Sequence, residues 1–200
     1  MITKRSEQKE QRRVMILKCA LDLLVRKGYG ETRIADIAKA ADMSMGLLFH
    51  YYESKERLYE ELIRIGYEKM KTSAEFNGGS PLEFFKTAAD DVFSMLASDP
   101  SAAKMFVLLE QASHLDSLPP ELDEMRFEGS NLIKNCVPII ESGQAMGEIK
   151  PGNPEALSTA FWCSIQGIAQ HIALYPNTPC PDADWIVSIL KNEGKEHDEN

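Results

Sequence analysis

The amino-acid sequence predicts an all-α protein in which a three-helix head of helix-turn-helix type, residues 1–54, precedes a larger helical body, residues 55–200. Three observations carry that prediction. Apolar residues recur at spacings of three and four along most of the chain, and no stretch alternates as a strand would. Caps, prolines and glycines cut this periodicity into about nine helices. Charge is also divided unevenly. The net value is −9, yet residues 1–57 hold 12 Lys and Arg against 8 Asp and Glu, while the remainder holds 10 against 23. A basic head on an acidic body suits a polyanion met by the head alone, although a solvated charged helix gives a similar count.

The first helix takes its face from Val14, Leu17, Ala20 or Leu21, and Leu24. Arg26-Lys27-Gly28 supplies the basic last turn and the glycine at which helices stop. A short second helix covers about Thr32 to Ala41, with Ile34, Ile37, Ala38 and Ala41 on one side. Asp42 interrupts it, and Ser44 is a good N-cap for a short third helix. Ser54 caps a fourth, roughly residues 55–73, with Leu58, Leu62, Ile65 and Met70 inward. Asn77-Gly78-Gly79 is a linker. Ser80-Pro81-Leu82-Glu83 then sets a cap, a proline in the first turn and a Glu three after the cap, opening a helix to about Ser98. Its inward face is Leu82, Phe85, Ala89, Val92 and Leu96.

The next helix runs from Pro100 to His114 through Met105, Leu108, Leu109 and Ala112. From Pro120 one long helix is expected to reach Met146 through Leu122, Met125, Leu132, Ile133, Cys136 and Ile140. Pro138, lacking a backbone donor, should kink it or end it early. Asn153-Pro154-Glu155 opens a helix to about Leu174, and Asp182 or Asp184 caps a last one through Lys191. The terminal NEGKEHDEN is polar and expected to fray.

The third helix, within SMGLLFHYY (residues 44–52), is apolar and nearly uncharged. One buried stripe accounts for only part of it. Leu48 and Tyr52 can pack on Ile37 and Ala41, which leaves Leu47, Phe49, His50 and Tyr51 for base edges, thymine methyls and phosphates. Gly46 lets the backbone approach a groove closely, and Met45 in the first turn projects the same way. Two short helices across a tight turn, behind a longer supporting helix, make a helix-turn-helix whose second member enters the major groove. The plain alternative is that Leu47, Phe49 and Tyr51 bury against neighbours.

Residues 30–58, GETRIADIAKAADMSMGLLFHYYESKERL, resemble the TetR-like (tetracycline-repressor-like) transcriptional regulators, whose pattern is G-x-T-[ST]-x-x-x-I-A-x-x-A-G-V-S-x-G-x-[LF]-Y-x-[HY]-F-x-[ST]-K-x-x-L. Outside residues 10–60 the resemblance rests on length, helix count and the turn at residues 147–154. It implies that Ser44 and Lys55 hold phosphates, that Met45, Gly46, Leu47 and His50 face bases, and that Thr32 and Tyr51 touch backbone oxygens. Three positions depart from the pattern. Asp42 replaces a turn glycine but tolerates a left-handed backbone. Arg33 stands where Ser or Thr caps the second helix, and can reach phosphate as a cation instead. Phe49 replaces a tyrosine and loses its hydroxyl, keeping a ring that can pack on sugar and backbone.

The same resemblance implies a body that dimerises and holds a small-molecule pocket. Trp185, Ile186, Ile189 and Leu190 form one apolar face, and Ala156, Ala160, Ser164 and Gly167 place small residues along the preceding helix. These faces suit a two-fold four-helix interface and equally suit an internal core. Because pockets combine aromatic walls with a few polar anchors, Phe84, Phe106, Leu109, His114, Trp162, Gln166 and His171 are candidate lining residues, although aromatics at helical spacing are commonly core. Glu110 and His114 lack the further ligands a metal needs, and Asp90-Asp91 meets Ser94 where a magnesium-binding carboxylate motif would place a third acid. No metal or cofactor is expected. Cys19, Cys136, Cys163 and Cys180 form no C-x-x-C pair and read as reduced thiols.

The charged N-terminus is not followed by an export-type apolar block, and no apolar run approaches membrane-span length, so a cytoplasmic protein with no membrane partner is expected. The leading reading is a non-enzymatic regulator, a repressor by resemblance: a homodimer on a palindromic double-stranded DNA operator, released by a largely apolar small-molecule effector. The alternatives are an all-α ligand-binding protein or enzyme without specific DNA binding, and a non-specific architectural DNA binder.

Overall fold

Side-chain caps open most of the helices at which the sequence places a Ser, Asn or Asp. The computed structural model describes residues 4–71, 76, 78–115 and 119–195. Within the head, α1 (Lys4–Glu31), α2 (Ile34–Ala40) and α3 (Met45–Tyr51) are followed by α4 (Lys55–Lys71). The body adds α5 (Pro81–Ser98), α6 (Pro100–Ser113), α7 (Pro120–Ser130), α8 (Leu132–Asn135), α9 (Val137–Met146), α10 (Pro154–Leu174) and α11 (Ala183–Val187), with a 3-10 turn at Glu193–Lys195. Among the described residues there is no strand, and no single helix is long and apolar enough to cross a membrane. The side chains of Met70 and Met125, together with Ser73, Asn77 and residues 196–200 of the tail, lie outside the described residues.

Ser54, Asn153 and Asp182 each accept a backbone N–H of the helix they open, at 3.2, 2.9 and 2.9 Å. At α5, Ser80 accepts the Glu83 N–H at 3.1 Å. The companion carboxylate comes from far along the chain: Glu148 accepts the Ser80 hydroxyl at 2.7 Å and the Leu82 N–H at 3.2 Å. Sequence placed Glu83 in that role, because a local motif is all that spacing can propose.

Three expectations are corrected. The helix expected over residues 120–146 is three, α7 to α9, parted at Asn131 and Cys136. Pro138 sits in the first turn of α9, where its missing N–H leaves no helical bond unmade. The final helix ends at Val187, and the chain turns so that Ile149 and Lys191 form an antiparallel bridge, with Lys150 N–H donating to the Leu190 carbonyl at 2.9 Å. Val14, expected inward, is 55% exposed; the buried stripe begins at Ile16 because the first turns of α1 project past the core.

Buried side chains gather in two clusters. The first joins α1 to α4 with Leu108, Leu109 and Ala112 of α6 and Leu122 of α7. The second joins α5 with α9 to α11 and the start of α6, around Phe85, Ile140, Phe161 and Leu190. Leu190, expected on an apolar face, is therefore core. Helix α6 contributes to both clusters, and its Lys104 pairs with Asp22 of α1 at 2.5 Å. Residues 1–54 thus rest on the remainder of the chain through α6, and run into it through α4.

Candidate nucleic-acid interface and apolar cavity

The turn between α2 and α3 depends on Asp42, whose φ of 53° lies in the left-handed region that glycine usually fills. Ser44 then accepts the Leu47 N–H at 3.2 Å and closes the N-terminus of α3. Leu48 is wholly buried and Tyr52 nearly so, in one cluster with Ile37 and Ala41, as the four-residue spacing requires. Tyr52 also accepts from Arg13 Nε at 3.3 Å, and the Arg13 guanidinium pairs with Glu61 of α4. The C-terminal end of α3 is in this way tied to both α1 and α4.

The other flank of α3 stays uncovered. Met45 is 37% and Phe49 45% exposed, His50 and Ser44 are exposed, Leu47 and Tyr51 are half-buried, and a side chain at Gly46 would meet nothing within 4 Å. Arg33 precedes α2 in extended conformation, exposed, and makes no side-chain cap.

Two predicted phosphate contacts are occupied inside the head. Thr32 is 1% exposed and donates its hydroxyl to the carbonyls of Gly28 at 2.8 Å and Leu23 at 3.3 Å. Lys55 donates to the carbonyls of Tyr29 at 2.8 Å and Thr32 at 3.0 Å, with its ammonium 4.0 Å from the centre of the Tyr29 ring. Gly28, at φ 78°, breaks α1 and frees carbonyls that need these donors. The Tyr29 hydroxyl in turn donates to Glu56 at 2.9 Å. Glu56 is held below the usual carboxylate range by its own backbone N–H in the first turn of α4, then by the Tyr29 hydroxyl and Ser54. The side chains of Thr32 and Lys55 therefore build the head's frame. Spacing could not reveal this, since their partners are backbone carbonyls.

In the body, α4, α5, α6, α8 and α10 enclose a cavity of about 230 Å³. Its wall includes Phe106, Leu109, Trp162 and Gln166 among the predicted residues. Phe84 is elsewhere, edge-on to Phe76 and Phe85. His114 is exposed and bonds Glu110 at 3.2 Å. His171 lies on the outer side of α10, against Tyr175. These three depart from expectation because helical spacing gives a face without saying which neighbour that face meets.

Ala160 and Gly167 are exposed on the outer side of α10, Ser164 is half-buried, and a side chain at Gly167 would meet nothing within 4 Å. Trp185 is 70% exposed, with Ile186 and Ile189 half-buried beside it. A shallow groove between α10 and the chain leading to α11 is lined by Ser164, Gly167, His171 and Ile186.

Residues 16–62 match the family model described as "Bacterial regulatory proteins, tetR family". Over these residues the chain is similar to the TetR family of transcriptional regulators. The HTH-type transcriptional regulator RutR of Escherichia coli strain K12 is 28% identical to it over 170 residues, covering 83% of this chain and 77% of that protein. The HTH-type transcriptional repressor KstR2 of Mycolicibacterium smegmatis is 28% identical over 151 residues, covering 72% and 70%. The fold is similar to that of AibR in complex with isovaleryl coenzyme A and operator DNA, with a TM-score of 0.69 at 19% identity over 90% of this chain and 98% of that one.

The sequence reading missed much of the cavity wall: Gly66, Val92, Met95, Met105, Leu132 and Cys163 among others. One signal was present. Gly66 lies on the same face of α4 as Leu58 and Leu62, and a glycine inside an amphipathic helix marks a close approach. A Cβ there would stand 2.9 Å from Met105 Sδ and 3.0 Å from Leu109 Cδ1.

Proposed function

We propose that two copies of the chain bind a palindromic operator, each laying α3 in a major groove, and that a small molecule in the body cavity releases the complex. The observation that carries the DNA half is the uncovered flank of α3 opposite a sealed one. Met45, Gly46, Leu47 and His50 are assigned to bases, and Arg33, Ser44, Phe49 and Tyr51 to the sugar-phosphate backbone. Residues 1–54 act as the reading head and 55–200 as the sensing and dimerising body. Two-fold pairing through Ala160, Ser164, Gly167, Trp185, Ile186 and Ile189 would set the two α3 helices roughly 34–36 Å apart.

The release half is supported by the cavity's position. Gly66 of α4 and Met105 and Leu109 of α6 share its wall, so a ligand that shifts α6 also shifts the helix leading out of the reading head. A ligand can change DNA affinity only as far as it binds the two arrangements differently. Repression is supported by the similarity to KstR2, a transcriptional repressor by name. The pairing of a small ligand with operator DNA is supported by the similar fold of AibR, solved with isovaleryl coenzyme A and its operator together. Such a protein works in the cytoplasm and needs no catalytic step.

Selecting bound duplexes from a random pool tests the reading. A palindromic site should emerge, with affinity falling as log[salt] at a slope of about −0.9 for each phosphate neutralised. Equal affinity for selected and random duplexes would leave only non-specific binding.

A further inference from the structure

The cavity's polar end has a fixed polarity. Gln166 lines the wall, and its amide nitrogen donates to the Glu110 carboxylate. A carboxylate only accepts, so the nitrogen must face Glu110 and the amide oxygen must face away from it. The other Glu110 oxygen lies 3.2 Å from His114 Nε2. What Gln166 offers a molecule in the cavity is therefore an acceptor backed by a negative charge.

Two further groups on the wall, Trp162 and Asp99, point the same way. The Trp162 N–H is committed to Cys136 Sγ at 3.4 Å, leaving the indole to serve as an apolar surface. Asp99 caps α6 through the Ser101 N–H at 2.8 Å and adds a second carboxylate. Lys69, a cation, and Ser101 also line the wall, Lys69 being exposed. The rest is chiefly Val, Ala, Met, Leu, Ile and Phe side chains. At the roughly 30 Å³ that a water takes up in the liquid, a volume of about 230 Å³ suits about eight non-hydrogen atoms, and somewhat more at solid-like packing.

We propose that the cavity takes an uncharged molecule of single-ring size whose hydroxyl, or an equivalent O–H or N–H donor, seats on the Gln166 amide oxygen, and that it turns carboxylates away. This rests on the reading of the cavity as the effector site. Selectivity follows from the acceptor: an ether of the same shape leaves it unpaired, and an anion meets the field of Glu110 and Asp99.

Calorimetric titration of the DNA-free protein with 4-propylphenol, 4-propylanisole and 4-propylbenzoate tests this. The phenol should bind, the ether about tenfold more weakly, and the benzoate more weakly still. Gln166→Leu should erase the preference of phenol over ether, and Glu110→Gln should narrow the gap to the benzoate. Circular dichroism of each variant checks that it folds. Benzoate binding as tight as phenol, an intact phenol preference in Gln166→Leu, or no heat from any of the three at millimolar concentration would overturn the assignment. Operator release is measured separately. Phenol binding without release leaves the ligand class standing and removes the effector role, whereas release by a large anion, with no phenol heat, removes the class and leaves the effector role.

Discussion

Asp42 shows how one residue can satisfy a turn without the usual glycine. Its backbone at φ 53° costs a Cβ-bearing residue roughly 1–2 kcal/mol, less for Asp, whose short polar side chain tolerates this region. Asp42→Gly should leave stability unchanged or raise it by up to about 1 kcal/mol, and Asp42→Val should lower it by about 1–2 kcal/mol in urea denaturation. His50 and Lys55 form a contrasting pair. His50→Ala should cost about 1–3 kcal/mol on the selected operator and relax preference at one base position, measured by competition against single-base variants. Lys55→Met removes two carbonyl caps and should cost about 1–3 kcal/mol of folding stability. It should leave the salt dependence of DNA binding unchanged. A salt slope reduced by about one with no loss of stability would place the ammonium on a phosphate instead.

At the level of elements, the contact of α4 with α6 at Gly66 joins cavity to head. Gly66→Ala gains about 1 kcal/mol in helix propensity, while its new methyl must displace the flexible ends of Met105 and Leu109. Those ends line the cavity, so the displacement shrinks it. Folding stability should change by less than about 1 kcal/mol while ligand affinity falls several-fold, read by denaturation and calorimetry side by side. Element identity was legible wherever the signal was local. Ser44, Ser54, Ser80, Asn153 and Asp182 each cap the helix expected of them. The division of residues 120–146 was not, because Leu132, Ile133, Cys136 and Ile140 keep a helical rhythm across breaks that only the path of the chain reveals.

Two properties belong to the molecule as a whole. The first is the proposed pairing of two copies. Trp185→Arg places a charge on the exposed apolar face of α11 and should shift the protein toward monomer in sedimentation, with weaker operator binding at low concentration; unchanged mass would exclude this face. The second is stability in alkali. Burial, with Tyr67 adding to it, pushes Tyr59 from the ordinary 10.0 up to about 12. The unfolded chain therefore ionises first, so stability present below pH 10 is lost as pH rises toward 12. The loss is on the order of 2 kcal/mol, and Tyr59→Phe should make the alkaline limb of a pH–stability profile shallower.

The sequence by itself determined the helical class, nearly every helix start, the left-handed turn at Asp42 and the open flank of α3, because each rests on residues within a turn or two of one another. Tertiary structure alone decided that Thr32 and Lys55 cap backbone, that Glu148 closes α5, and that Phe84, His114 and His171 stand outside the cavity. Those outcomes depend on which distant groups meet, and helical periodicity records that a face is buried without recording its partner.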